Sequence, residues 1–153
     1  MDQLRDSDHV NQSADKDRLD RAAERDRTAR IRAEMLESTS RLESERAQKL
    51  VDEFLLKAQA ASLPQVELRA RTLDGHLVKT DQHGWYIRND HSVAVGVDGQ
   101  YYQLTVPGGF MARIRGVHLE PSPPPLVVGR GGKDGETGDL QQFLDRALAG
   151  QVK

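Results

Sequence analysis

The chain has 153 residues, a formal net charge of −2 and no cysteine. This length suits one domain with an appended segment. The lack of cysteine excludes disulfides, zinc–thiolate sites, iron–sulfur clusters and thiol catalysis. The balanced charge removes any global electrostatic reason to expect nucleic acid, and no apolar run is long enough to span a membrane. We therefore predict a cytoplasmic protein without a cofactor or metal.

The first third of the chain is polar and rich in helix-forming residues. Residues 1–14 are small, polar and weakly patterned, and we expect them to be disordered. Residues 15–62 contain no Gly or Pro, and their Ala, Glu, Arg, Leu and Lys content predicts a long helix, as one rod or two pieces. Pro64 ends it, because proline lacks an amide hydrogen and restricts the residue before it.

The second half of this helix carries its more regular apolar face. The candidate interface residues recur at helical spacing and are Leu36, Leu50, Val51, Phe54 and Leu55. Such a face must be covered. Either the chain's own β domain or a helix of another chain would cover it. A strict heptad seam is not sustained, so a coiled coil stays one of two alternatives.

Residues 64–128 alternate short β-prone runs with turn signals. Asp-Gly dipeptides at 74–75 and 98–99 predict tight hairpins. A two-residue loop at Asp98-Gly99 would pair Val95 with Tyr102, and a three-residue turn at 89–91 would place Trp85 opposite Val95.

The runs on either side of these turns are predicted strands, and a sixth strand is predicted at 110–119. Several short antiparallel strands of this kind suggest a small barrel or a curled sheet. The predicted core comprises Leu68, Ala70, Leu77, Trp85, Ile87, Val93, Val95, Tyr102, Leu104, Val106, Ala112 and Ile114. With the long N-terminal helix and a C-terminal helix at 139–149, the fold class is α+β.

Residues 129–138 form a Gly-rich loop before the last helix. The candidate anion-binding residues in it are Arg130, Gly131, Gly132 and Lys133. A helix N-terminus attracts phosphate, but Lys133 is followed by Asp134 rather than Ser or Thr, so the P-loop pattern is not met. A flexible linker is the favoured interpretation.

Strand alternation predicts a surface of aromatic and guanidinium groups on the outer face of the β domain. The members of this Tyr/Arg set are Tyr86, Arg88, Tyr101, Arg113 and Arg115. Small barrels bind single strands or peptides with such groups, although surface strands often carry Tyr and Arg without a ligand.

No catalytic pattern is present in the sequence, because the five histidines show no convergent spacing and no serine lies in a nucleophile elbow. We predict a non-catalytic interaction or scaffold protein that self-associates or docks through its long helix and presents the β domain to a protein partner. Two alternatives stay open. One is a nucleic-acid-binding protein that uses the Tyr/Arg set and the Arg-rich part of the long helix, Arg18–Arg32. The other is a phosphate-ligand-dependent enzyme that uses the Gly-rich loop.

Overall fold

The computed structural model describes residues 2–129 and 136–153, with side chains from residue 8 onward. It is an α+β chain that divides into two units, residues 1–42 and 43–153. The elements in chain order are α1 (Asp2–Ala60), β1 (Val66–Thr72), β2 (Leu77–Tyr86), β3 (Val93–Gly96), β4 (Tyr101–Gln103), β5 (Thr105–Val106), α2 (Phe110–Arg115), β6 (Val127–Val128), β7 (Gly138–Asp139) and α3 (Leu140–Leu148). None of the described helices has an apolar stretch of the length that crossing a membrane requires.

The first helix begins earlier than the sequence analysis expected. It starts at Asp2, so the tail predicted to be disordered continues the helix, because no Gly or Pro interrupts this stretch. The C-terminal end follows the Schellman pattern. Ser62 has a positive φ of 52°, and the Leu63 amide donates to the Ala58 carbonyl at 2.9 Å.

Five strands form one mixed sheet in the order β4-β3-β2-β1-β5. The neighbours pair antiparallel except for β1 and β5, which run parallel. Among the described residues β4 and β5 are the outer strands, and no closed barrel is found. The predicted pairing of Trp85 with Val95 is confirmed.

The predicted register of the β3–β4 hairpin is wrong by one residue. Val95 pairs with Tyr101 rather than Tyr102, because the loop has three residues and not two. Gly99 closes that loop with φ +79°, and the Gly96 amide donates to the Gln100 carbonyl at 2.9 Å. A three-residue loop with a left-handed glycine is the next most common hairpin after the two-residue type. Because side chains alternate along a strand, this slip turns Tyr101 inward.

The sheet is buried on both faces. One face packs against α1 and α3 in a cluster comprising Ala47, Val51, Phe54, Ala58, Trp85, Ile87, Val93, Val95, Tyr101, Val128, Leu140, Phe143, Leu144 and Ala147. The other holds Leu68, Ala70, Val78, Ala94, Tyr102, Leu104 and Leu119. Of the predicted core residues, Leu77 and Ile114 are instead exposed, while Val106 and Ala112 are only partly buried.

The predicted sixth strand is partly a helix. Phe110–Arg115 form α2, which buries none of its residues and ends at Gly116 with φ +80°. Met, Ala and Arg have good helix propensity, which favours a helix over this stretch. Beyond it the chain returns to the sheet, where Val117 forms an isolated parallel bridge to Thr80 and Leu119 is buried against one face.

Candidate functional site

The Tyr/Arg set does not form one surface, because its members lie in three places. Arg88 and Tyr101 are buried and line one groove. Tyr86 is partly buried, stacks on His91 with ring centroids 4.0 Å apart, and accepts a hydrogen bond from the Arg69 amide at 2.9 Å. The other two members lie on α2. This separation weakens the case for a continuous nucleic-acid platform.

The two arginines of α2 differ in their partners. Arg113 donates to Asp74 at 3.0 Å, whereas Arg115 forms no ion pair with any residue in the described ranges. A hydrogen bond from the Thr72 hydroxyl and the Arg113 guanidinium hold the pKa of Asp74 below its usual value of 3.8. Arg113 is thus already engaged by the β1–β2 turn.

Arg88 and Tyr101 line a groove of about 410 Å³, here called the Arg88 groove. The full lining comprises Glu43, Arg88, Ser92, Val93, Tyr101, Gln103, Thr105, Pro125, Val127, Val128 and Gly129. Burial raises the pKa of the Tyr101 hydroxyl to about 12, so this group stays neutral at physiological pH. Glu43 accepts a hydrogen bond from the Leu126 amide at 3.2 Å and thereby ties the helix to the chain segment that closes the groove.

The Arg88 guanidinium is held by one carboxylate and one ring. Its Nη2 lies 3.5 Å from Asp90 Oδ2, and its Cζ lies 5.9 Å from the centroid of Phe143. Burial opposes ionisation of Asp90, but hydrogen bonds from Ser92 and the charge of Arg88 outweigh it and keep the pKa of Asp90 below 3.8. The sequence places Arg88 directly before the turn at 89–91 that contains Asp90, yet the contact with Phe143 spans 55 residues and carries no local signal.

The predicted helix interface is divided between the core and the surface. Val51 and Phe54 are fully buried against this chain's own sheet, and Leu50 and Leu55 pack partly buried against the same cluster. Leu36 is 72% exposed. Of the two alternatives for this face, the chain's own β domain therefore covers the last four of the five residues.

The N-terminal part of α1 shows the opposite pattern. Every side chain described from residue 8 to residue 42, here called the exposed helix segment, is exposed. Its large apolar side chains are Val10, Leu19, Ile31, Met35, Leu36 and Leu42.

A second polar cluster surrounds His118, which the sequence did not single out. Its Nδ1 contacts Asp81 Oδ2, and its Nε2 lies 3.3 Å from Glu120 Oε1. Asp81 also accepts a hydrogen bond from the Leu119 amide at 3.0 Å, so the cluster fastens residues 117–120 to β2. With a carboxylate at each ring nitrogen, the geometry suits an imidazolium that donates twice.

Stability should depend on the charge of His118. The hydrogen bond and charge of Asp81 raise the pKa of His118 above 6.5 in the folded chain. Because the pKa of His118 is higher in the folded chain than in the unfolded chain, protonated His118 stabilises the fold fully at pH values below the unfolded pKa. This contribution is lost as the pH rises through the folded pKa. We expect the stability difference between wild type and His118→Gln to shrink between pH 6 and alkaline pH. NMR titration should find a higher His118 pKa in the native chain than in denaturant, and an equal or lower native value would contradict the cluster.

The candidate anion loop at Arg130, Gly131, Gly132 and Lys133 lies outside the described residues. Among the residues that are described, no group of three or more His, Asp or Glu side chains is arranged to hold a metal ion.

Comparison with known proteins finds no matching family model, no matching curated protein and no matching solved structure.

Proposed function

We propose that this chain is a non-catalytic scaffold protein that self-associates through the exposed helix segment and presents its β domain to a protein partner. The observation that carries the proposal is the contrast along α1. Residues 47–58 place an apolar face in the chain's own core, while every side chain of residues 8–42 is exposed. Helices in proteins gain most of their stability from tertiary packing, so a long exposed segment is a natural place for a second copy to bind.

One face of the exposed helix segment offers an apolar contact. Ile31, Met35 and Leu42 follow at steps of four and seven residues, which places them on the same side of the helix. Their exposed fractions are 46%, 64% and 56%. Full burial of a large apolar side chain stabilises an interface by about 1.5–3 kcal/mol. In an antiparallel pair these three side chains meet residues 8–24 of the second copy, where Val10 lies on the same side of the helix and is 70% exposed.

The charges of the segment favour a second copy as the partner. Residues 8–42 hold eight acidic and eight basic side chains, so two copies do not repel each other overall. Residues 8–24 carry five acids and three bases, whereas 25–42 carry three acids and five bases. An antiparallel pair brings the acidic half of one copy beside the basic half of the other. Within the described segment only Arg18–Asp15 and Arg27–Glu24 form ion pairs, which leaves most charges available.

The test compares two double variants by light scattering coupled to size exclusion over a range of concentrations. Ile31→Asp with Met35→Asp should raise the dissociation constant at least about tenfold, because both chains would have to bury two charged groups in place of two apolar side chains. Ala29→Asp with Ala33→Asp is the matched control, since it adds the same charges at the same spacing on the opposite side of the helix.

The control should keep the wild-type mass. Two outcomes would overturn self-association through this face. One is a wild-type chain that is monomeric at every concentration, and the other is an equal loss of molar mass in both double variants. Circular dichroism of both variants shows whether a loss of mass comes with a loss of helix.

A further inference from the structure

The Arg88 groove is not used by the proposed self-association, and it contains the one charged side chain that is buried in the described ranges. Arg88 is 8% exposed. Burial of a charge is costly unless hydrogen bonds and an opposite charge compensate it. The compensation visible around Arg88 is incomplete.

The Nε atom of Arg88 is buried and has no hydrogen-bond partner among the described residues. Asp90 stands 3.5 Å from Nη2, which is an ion-pair distance but longer than a good hydrogen bond. Asp90 is restrained there, because its Oδ1 accepts from the Ser92 amide at 3.1 Å and from the Ser92 hydroxyl at 2.6 Å. The guanidinium therefore keeps unused donor capacity beside a groove that it lines.

We propose that the Arg88 groove binds one carboxylate group, carried by a small organic acid or by the end of a peptide, with Arg88 as its cationic anchor. A carboxylate matches the planar donor fork of arginine and can take two parallel hydrogen bonds from it. The groove volume of about 410 Å³ falls within the range of small-molecule sites. Gln103 and Thr105 line the same groove and add neutral polar groups at its exposed side.

The groove favours a single negative charge over a double one. Among the described residues, Glu43 lines the groove and Asp90 stands beside the guanidinium, so two carboxylates lie near one cation. A second charge on the ligand would meet repulsion from both of them. A monocarboxylate should consequently bind better than a phosphate dianion.

The test follows the Arg88 Nε–Hε signal of the full-length ¹⁵N-labelled chain, assigned by through-bond correlation to its own backbone. Sodium benzoate, an N-acetylated tri-alanine with a free carboxyl end, and the amide of that peptide are titrated at constant ionic strength. We expect a saturable shift with benzoate or the free-acid peptide and none with the amide. The carboxylate that saturates the site at the lower concentration shows whether the preferred ligand is a small organic acid or the end of a peptide.

The exposed Arg113 serves as the control, and its Nε signal should stay in place. Arg88→Lys keeps the charge but loses the fork, and should weaken binding about tenfold. Because the wild-type signal is read directly, the test stands even if this variant fails to fold. The absence of a saturable shift with any carboxylate, equal shifts of Arg88 and Arg113, or tighter binding of inorganic phosphate at pH 8 would each overturn the proposal. None of these outcomes depends on the oligomeric state, so the experiment tests carboxylate binding independently of the proposed self-association.

Discussion

Phe54→Ala should lower the free energy of unfolding of the β-domain unit by about 3–5 kcal/mol, the usual cost of removing a buried phenylalanine. Phe54 is 1% exposed and meets the edge of Trp85, with ring centroids 5.7 Å apart and planes at 82°. Truncation removes this contact and leaves a cavity between α1 and the sheet. Denaturant unfolding followed by the fluorescence of Trp85, the chain's one tryptophan, measures the change directly.

Leu56→Ala is the matched control for this prediction. Leu56 lies two residues away on the same helix and is 68% exposed, so its loss should change stability by less than about 0.5 kcal/mol. If both variants lost the same stability, the packing of α1 on the sheet would be wrong. If Phe54→Ala changed the oligomeric mass and left stability intact, the face of Phe54 would be an intermolecular interface instead.

Gly84→Ala should destabilise the chain by at least about 1–3 kcal/mol, the cost of forcing extra atoms into packed surroundings. A methyl group on Gly84 would lie 2.8 Å from the Gly96 Cα and 2.9 Å from the Val95 carbonyl carbon, and closer still to the Val95 carbonyl oxygen. These are backbone atoms of the paired strand β3, so no flexible side chain can move aside. Only separation of β2 from β3 relieves the clash.

The matched control is Gly109→Ala. A methyl group at Gly109 meets nothing within 4 Å, and its φ of −178° is extended backbone that any residue adopts. Thermal unfolding of the two variants should therefore differ clearly, with Gly109→Ala close to wild type. An unchanged melting temperature for Gly84→Ala would contradict the observed pairing of β2 and β3.

The burial of Phe54 in the chain's own core decides which helix residues can be used to test self-association. The sequence pattern offered Leu50, Val51, Phe54 and Leu55 as an assembly face or as part of the core. Charged substitutions at Val51 or Phe54 would unfold the β domain, because both side chains are fully buried in it. Such variants do not test assembly, and the exposed helix segment is the right place for that test.

Local patterns were sufficient wherever the physical cause is local. The α+β class and the helix end before Pro64 follow from propensity and from the missing proline amide. The pairing of Trp85 with Val95 follows from the length of the intervening turn. The amphipathic last helix follows from apolar residues at helical spacing, which is why Leu140, Phe143 and Leu144 are buried.

Local sequence patterns were ambiguous where the same pattern is compatible with two different local conformations. The dipeptide Asp98-Gly99 suits a two-residue loop and also a three-residue loop that ends on a left-handed glycine. The difference of one residue places Tyr101 in the core rather than on the predicted binding surface. The run at 110–115 is apolar enough for a strand and has the propensity of a helix, and in the structure it forms the helix α2.

The sequence by itself determined the fold class, the long helix and much of the sheet core, because propensity, periodicity and turn chemistry act over a few residues. Only the tertiary structure decided that the apolar face of residues 47–58 is covered by the chain's own sheet. It alone also decided that Arg88 lies buried beside Asp90 and Phe143. Burial depends on which distant segments meet, and Arg88 and Phe143 come together only after the sheet and α3 have packed. The candidate carboxylate site is a product of that packing.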